Sequence, residues 1–408
     1  MIRSVAVLSY HTCPLTVPGV GDAGGMNVSV HEQALALAER GVAVDVYTRR
    51  GDPDIADVVE VVPGYRVFHV AAGPAERMPI AEQVPFVDDF AAAVVGIIER
   101  SGPVPDVVHS HYWLSGRVGL AVADALGRPL ANSFHTLGRV KDLTRRPDDA
   151  RSSPERVAAE RAVIAGSSCV IASTPLEARD LLEHYGADPT RLCVNPPGVD
   201  LGTFSPGDRA TARLEAGLGP EPLVVVAGRV QPLKGVDVAL DAMALVRRRV
   251  PDARLLVVGG ASGATGSDEL GRLRRRATEP DLAGAVTFRP AVPHRELVPI
   301  LRSADVVHVP SRSESFGLVA VEAQACGTPV VAAAVGGLRH VVADGVSGVL
   351  VEGWSPADHA DALERLLVDG NWAAKLAAGT VPQAARFGWG PTTDRLLELY
   401  AGVVGARA

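Results

Sequence analysis

Little in this sequence points to oxidising chemistry, membranes or nucleic acid. Its 408 residues include four cysteines, Cys13, Cys169, Cys193 and Cys326, with no CxxC spacing and no paired pattern. They read as reduced thiols, which implies the cytoplasm. No apolar run reaches the ~18 residues of a membrane span. The start, Met1-Ile2-Arg3-Ser4-Val5-Ala6-Val7-Leu8, has too short an apolar core for a signal peptide. Net charge is −7, so no general polyanion-binding surface is implied and nucleic acid is not an expected partner. Low-complexity tracts and short-period repeats are missing as well. What remains is a composition of 47% hydrophobic and 21% charged residues, suited to a soluble α/β protein of two or three domains.

The chain is organised around Ser313-Glu314-Ser315-Phe316-Gly317-Leu318-Val319-Ala320-Val321-Glu322-Ala323. The pattern predicts a strand over 305–310, a loop carrying Glu314, a helix over 317–326 carrying Glu322, and a strand at Val330–Ala334. Eight residues on a helix are a little over two turns, so both carboxylates can serve one site. At the carboxyl end of a parallel strand a carboxylate can accept from sugar hydroxyls. The alternative is a solvated helix face with two surface carboxylates.

In the first half, Val5–Tyr10 is a buried strand, followed by a long loop to Asn27 with Gly21, Asp22, Gly24, Gly25 and Met26, then a helix Val28–Arg40 and a strand Ala43–Tyr47. Glycines there let backbone N–H groups approach an anion at a helix start. Turn chemistry alone also accounts for them, and the spacing is not GxGxxG, which disfavours a nicotinamide site. Strands at Tyr65–Val70, Val107–Ser110 and Pro129–Phe134 follow, the last delivering His135 and Thr136. His109 and His111 point the same way along a strand, but no carboxylate or third imidazole lies nearby in sequence to complete a metal site. Tyr112 at that strand's end is placed to meet a ligand, whereas His135 also fits a satisfied core histidine. Helices over Pro154–Ala165, with Arg156 and Glu160, and over 175–185 flank a strand at Cys169–Ser173.

Proline and glycine punctuate 195–218, and the strand–helix series then restarts at Val224–Ala227. Gly228-Arg229-x4-Lys234-Gly235 follows, before a helix Val236–Arg248. A guanidinium and an ammonium converging on that loop would clamp a diphosphate; two surface cations are the bland alternative. Further strands are expected at Leu255–Gly259, Val286–Phe288 and Val306–Val309, with helices at Pro356–Val368 and Pro391–Val403. Two parallel-sheet series of similar length, with polar groups at carboxyl strand ends, predict two Rossmann-like α/β domains facing across a cleft. The boundaries are 1–207 plus a terminal helix 390–408 crossing back to the first domain, and 208–389.

Gly228-Arg229-x4-Lys234-Gly235 together with Glu314-x7-Glu322 resembles the retaining GT-B glycosyltransferases of family 4. The segments 11–15, 21–28, 109–116 and 135–137 are similar to those of the D-inositol-3-phosphate glycosyltransferases of mycothiol biosynthesis. The resemblance spans essentially the whole chain. It implies transfer of N-acetylglucosamine from UDP-GlcNAc to 1D-myo-inositol 3-phosphate. It assigns the donor diphosphate to Arg229, Lys234 and Gly25, ribose to Glu322, the sugar to Glu314, and the base to backbone near Val292. His135 would sit beside the transferred sugar. The acceptor, often through its phosphate, falls to His11, Asp22, Gly24, Gly25, Met26, Asn27, Tyr112, Thr136 and Arg156. It implies no catalytic metal, while a structural divalent ion near the donor domain and a homodimer are both allowed for.

One departure stands out. The family's phosphate-gripping Lys has no counterpart in Ala75-Glu76-Arg77-Met78-Pro79-Ile80-Ala81-Glu82, where Arg77 is displaced and Ile80 and Ala81 occupy the position. This leaves open an unphosphorylated cyclitol or aminocyclitol acceptor, as in secondary metabolism. From another class, a non-transferring sugar-nucleotide-binding protein or an epimerase also stays open.

Overall fold

A computed structural model describes residues 1–19, 21–262 and 266–406. The first sheet contains β1 (Ser4–Leu8), β2 (Ala43–Arg49), β3 (Val58–Val62), β4 (Tyr65–Val70), β5 (Val107–His111), β6 (Leu130–Ser133), β7 (Cys169–Ala172) and β8 (Leu192–Val194). Its order is β3-β4-β2-β1-β5-β6-β7-β8, parallel except where β3 runs antiparallel to β4 at the edge. The second sheet contains β9 (Leu223–Ala227), β10 (Arg254–Val258), β11 (Val286–Arg289), β12 (Val306–Val309), β13 (Val330–Ala333) and β14 (Gly348–Val351). It is wholly parallel, in the order β11-β10-β9-β12-β13-β14. These are two doubly wound sheets of the GT-B kind. Strands buried on both faces explain near-continuous apolar runs such as Leu223–Val226 and Leu255–Val258.

Each sheet reverses its strand order once, between β1 and β5 and between β9 and β12. Crevices form at such reversals because the flanking helices leave on opposite faces. Local sequence sets the helix starts. Ser153, Thr174 and Ser355 each precede a proline, and their hydroxyls accept from the backbone N–H three residues on.

The final helix, Trp389–Gly405, packs on the first lobe. Leu396 and Tyr400 are buried with Val5, Val30 and Val107, and Arg40 bonds Asp394 at 2.7 Å. The chain therefore crosses between lobes twice, and the crossings lie side by side: Val199 N–H donates to Phe387 O at 2.7 Å and Val199 pairs with Gly388. Trp389 lies so close over Gly198 that a side chain there would collide with its indole.

Several bounds differ from expectation. The first helix runs Gly25–Glu39, starting before Val28, because Asn27 Oδ1 accepts from Gly24 N–H at 2.9 Å and folds the glycine run into its first turn. The terminal helix starts at Trp389 rather than Pro391, since proline fits a first turn. Many elements have no counterpart in the sequence reading, among them β3, β8 and β14 and the helices Val87–Ser101, Trp113–Ala125, Gly266–Arg276, Leu297–Ser303 and Gly370–Ala384, the last of which contains Pro382. The four cysteines are free thiols, with Cys169 and Cys193 on neighbouring strands bringing their sulfurs to 2.7 Å.

Candidate active site

The two crevices face each other and merge into one cavity of about 420 Å³. That size suits a small-molecule ligand site. Every residue expected at the site lines it except Asn27. Asn27 is wholly buried behind the wall, where its amide donates to Thr12 Oγ1 at 2.8 Å and Cys13 O at 2.7 Å. It shapes the loop that presents His11, Asp22 and Gly24.

On the second lobe, Arg229 leaves the end of β9 and reaches the first lobe. Its Nη1 donates to Asp22 O at 3.3 Å and to Ser262 Oγ at 3.5 Å. A Cβ on Gly24 would lie 2.8 Å from Arg229 Nε, so the guanidinium needs glycine there. Burial pulls its pKa down and Asp22 and Glu314 oppose that only in part, yet a guanidinium stays charged. Lys234 follows in a single 3₁₀ turn, and its Nζ lies 2.5 Å from Glu314 Oε2. Glu314 is set by its backbone: its carbonyl accepts from Gly337 N–H at 2.8 Å, and Gly336 packs where any side chain would strike that carbonyl. Glu322, buried on helix Leu318–Ala325, has Oε1 2.7 Å from His294 Nε2. Burial lowers the His294 pKa, but Glu322, with Glu32 and Asp200, outweighs it and carries the imidazole above its ordinary value. Val292 lines the same cavity.

On the first lobe the backbone is strained at two positions. Tyr112 (φ 80°) and His135 (φ 60°) are the non-glycine residues with positive φ among those described. Such conformations cost of order 1–3 kcal/mol each and cluster at functional sites. Tyr112 N–H donates to Ser133 O at 2.8 Å, locking the end of β5 to β6. Its ring lies 4.6 Å from that of His11 and against Arg156, whose Cζ is 5.2 Å from the ring centre. Arg156 is oriented by the buried Glu160 (Nε–Oε1 2.8 Å) and donates through Nη2 to Thr136 Oγ1 and O, both at 3.1 Å. Glu160 also accepts from Tyr185 OH at 2.5 Å and Gly138 N–H at 3.0 Å.

Behind His135 runs a row of imidazoles. His111 Nδ1 meets His135 Nε2 at 2.8 Å; the His109 ring lies 4.2 Å from that of His111 and bonds Tyr400 OH at 2.6 Å. Burial lowers all of them: His109 to about 3, His135 to about 4, and His111 well below its ordinary value. His11 is lowered to about 3 by burial and then by Arg229 and neighbouring groups. These four imidazoles are neutral at pH 7. Among the described residues no three His, Cys, Asp or Glu side chains converge to hold a metal ion, including near the donor lobe.

Some lining groups carry no signal in the linear sequence. His294 faces Glu322 from 28 positions away. Ser315 Oγ donates to His135 O across the cleft, and Ser173 Oγ donates to Ser315 O at 3.1 Å, tying the Glu314 loop to the first lobe. Lys141 and Ile80 line the cavity as well. Arg77, weighed as a substitute cation, is exposed and does not line it.

Comparison with known proteins places this geometry. Residues 209–380 match the family described as glycosyl transferases group 1, and residues 24–198 match the glycosyl transferase 4-like domain. A D-inositol 3-phosphate glycosyltransferase from Segniliparus rotundus is 47% identical, covering 98% of this chain and 89% of its own. One from Actinosynnema mirum is 47% identical over 98% of this chain and 97% of its own. Among solved structures, sucrose-phosphate synthase from Thermosynechococcus elongatus superposes with a TM-score of 0.92 at 32% identity, covering 99% of this chain and 100% of that one. HepE of Anabaena, solved with UDP and glucose, shares the fold at 19% identity with a TM-score of 0.78, covering 98% and 100%.

Proposed function

The chain belongs to family 4 of the retaining GT-B glycosyltransferases, and from that premise we propose that it moves N-acetylglucosamine from UDP-GlcNAc to 1D-myo-inositol 3-phosphate. The observation that carries this is the joint lining of one cavity. Arg229, Lys234, Glu314 and Glu322 enter from one lobe, and Tyr112, Thr136 and Arg156 from the other. The names of the relatives support the acceptor.

In this reading the donor's diphosphate lies against Arg229, Lys234 and the Gly25 amide, its ribose hydroxyls on Glu322, and its sugar on Glu314. The acceptor hydroxyl attacks the anomeric carbon from the face the diphosphate leaves. The C1–O bond to phosphate breaks as the bond to the acceptor oxygen forms, and the acceptor proton passes to the departing phosphate oxygen. Arg229 and Lys234 stabilise the charge that develops on that leaving group. His135, being neutral, offers a hydrogen bond to the sugar without adding charge. Glu314 must exchange its bond to Lys234 for bonds to the donor, which couples donor binding to release of the Lys234 ammonium toward the diphosphate.

A second reading has its own observation. Ile80 lines the cavity where the family's phosphate-binding Lys is expected, which favours an unphosphorylated cyclitol. A product screen by mass spectrometry decides between them: UDP-GlcNAc and UDP-glucose, each against inositol, inositol 3-phosphate and aminocyclitols. The expected product is N-acetylglucosaminyl inositol phosphate. Release of free sugar at full rate with no acceptor would replace transfer by epimerase or hydrolase chemistry.

A further inference from the structure

Of the 40 basic residues in this chain only three are lysines, Lys141, Lys234 and Lys375. Two of the three line the cavity. Lys234 has its carboxylate, Glu314, and the proposed function gives it the diphosphate. Lys141 has neither. It stands on helix Gly138–Leu143, which follows directly from His135 and Thr136, and it lines the same cavity as Arg156, Tyr112 and Ile80.

The charge balance around it is uneven. Among the described residues no carboxylate lies within ion-pair distance of Lys141. The two nearest in effect are already engaged: Asp142 accepts from Ser152 N–H and Oγ at 2.9 and 3.1 Å, and Asp149 bonds Arg146 at 3.3 Å. Burial lowers the Lys141 pKa first, and the Arg156 guanidinium lowers it further, with Arg229 adding to the effect. A half-buried ammonium with a second cation as its neighbour lacks a counter-ion. Unpaired buried charge is costly, and a dianion seated between Lys141 and Arg156 would remove that cost.

We infer that Lys141 and Arg156 together form the seat for the acceptor's phosphate, with Lys141 supplying the ammonium that position 80 does not. This rests on the proposed function and narrows it to a phosphorylated acceptor. It also orients that acceptor. Phosphate held at Lys141 leaves the ring's hydroxyls toward His135 and the donor sugar. Ile80 packs the ring without contributing charge.

The test separates this seat from the reaction itself. Inorganic phosphate is titrated calorimetrically into UDP-saturated wild type, Lys141→Met and Lys141→Arg, so that the diphosphate site is blocked. Turnover with inositol 3-phosphate and with inositol is measured alongside. Loss of one charge-assisted contact predicts phosphate affinity roughly ten- to a hundredfold weaker in Lys141→Met. Most of it should return in Lys141→Arg, with UDP affinity unchanged. Ile80→Lys in the Lys141→Met background should recover part of the loss from a different position in the cavity. Unchanged phosphate affinity in Lys141→Met overturns the assignment even if inositol 3-phosphate is turned over. Lysine-dependent phosphate binding without turnover of inositol 3-phosphate keeps the seat and overturns the proposed acceptor.

Discussion

The two walls of the cleft are built on different physical plans. On the second-lobe wall, which the proposed function gives to the donor, the carboxylates are partnered before any ligand arrives, Glu314 by Lys234 and Glu322 by His294. On the first-lobe wall, which the proposed function gives to the acceptor, the imidazoles are made neutral by burial, and His135 and Tyr112 are held at positive φ. The donor wall stores charge in short local pairs that a ligand can exchange. The acceptor wall stores conformational strain and desolvated imidazoles, which only the folded lobe maintains. Damage on the donor side should therefore appear in turnover and nucleotide affinity, and damage on the acceptor side in stability and its dependence on acid.

The largest effect should come from the donor wall. Arg229→Ala and Lys234→Ala each remove an oriented charge from the leaving group, worth about 3–4 kcal/mol in such sites. Turnover in steady-state assays should fall by roughly 10²–10³-fold in each, while melting temperatures stay close to wild type. Rates within a few-fold of wild type would break the diphosphate assignment.

Next comes acid sensitivity on the acceptor wall. His11, His109 and His135 have folded-state values of about 3, 3 and 4, all lowered from 6.5. The unfolded chain then binds more protons than the folded one between the folded values of about 3 to 4 and the unfolded value of 6.5. Stability from these groups should be flat above that pH and decline from 6.5 toward 4, by up to about 1.4 kcal/mol per pH unit for each buried imidazole. Denaturant unfolding between pH 7.5 and 4.5 checks this; a flat profile would mean the row is less desolvated than it looks.

Glu322→Gln should weaken UDP binding by about 1.5–3 kcal/mol, because the ribose hydroxyls lose a charged acceptor. Calorimetry with UDP alone reads it, free of any contribution from the acceptor. The smallest effect should be Tyr400→Phe, which removes the hydroxyl 2.6 Å from His109 Nδ1. A loss of about 1 kcal/mol in unfolding free energy, with turnover within a few-fold, is expected.

The same contrast decides what can be read without coordinates. The donor wall is legible because Arg229 with Lys234, and Glu314 with Glu322, sit within one strand–loop–helix unit each, where spacing fixes geometry. The restart of the strand–helix series and the glycine caps likewise expose both sheets. The opposite wall draws its residues singly from two strand ends and a helix, so only Tyr112 is flagged by its place at the end of a strand, while Thr136 and Arg156 come from resemblance to a family. His294 and Lys141 escape because nothing local marks a lone imidazole or ammonium as facing a cleft. Asn27 shows the reverse limit: the resemblance assigns it to the acceptor, yet its amide is spent on Thr12, Cys13 and Gly24. β3 is invisible because Val58–Val62 lies on an edge, half exposed, with no bounding periodicity.

The doubled crossing at Val199 and Gly388 has a mechanical meaning. A single strand between two bodies is a swivel, free to bend and twist. Two strands bonded side by side, with Trp389 pressed on Gly198, are a ribbon. A ribbon bends easily through its thin direction and is stiff across its width. The lobes should part like the covers of a book about one axis, so that Arg229 returns to Asp22 on each closure. A protease cut anywhere in 200–207 would then sever one ply without freeing either lobe, so the nicked protein should migrate as a single particle until it is denatured.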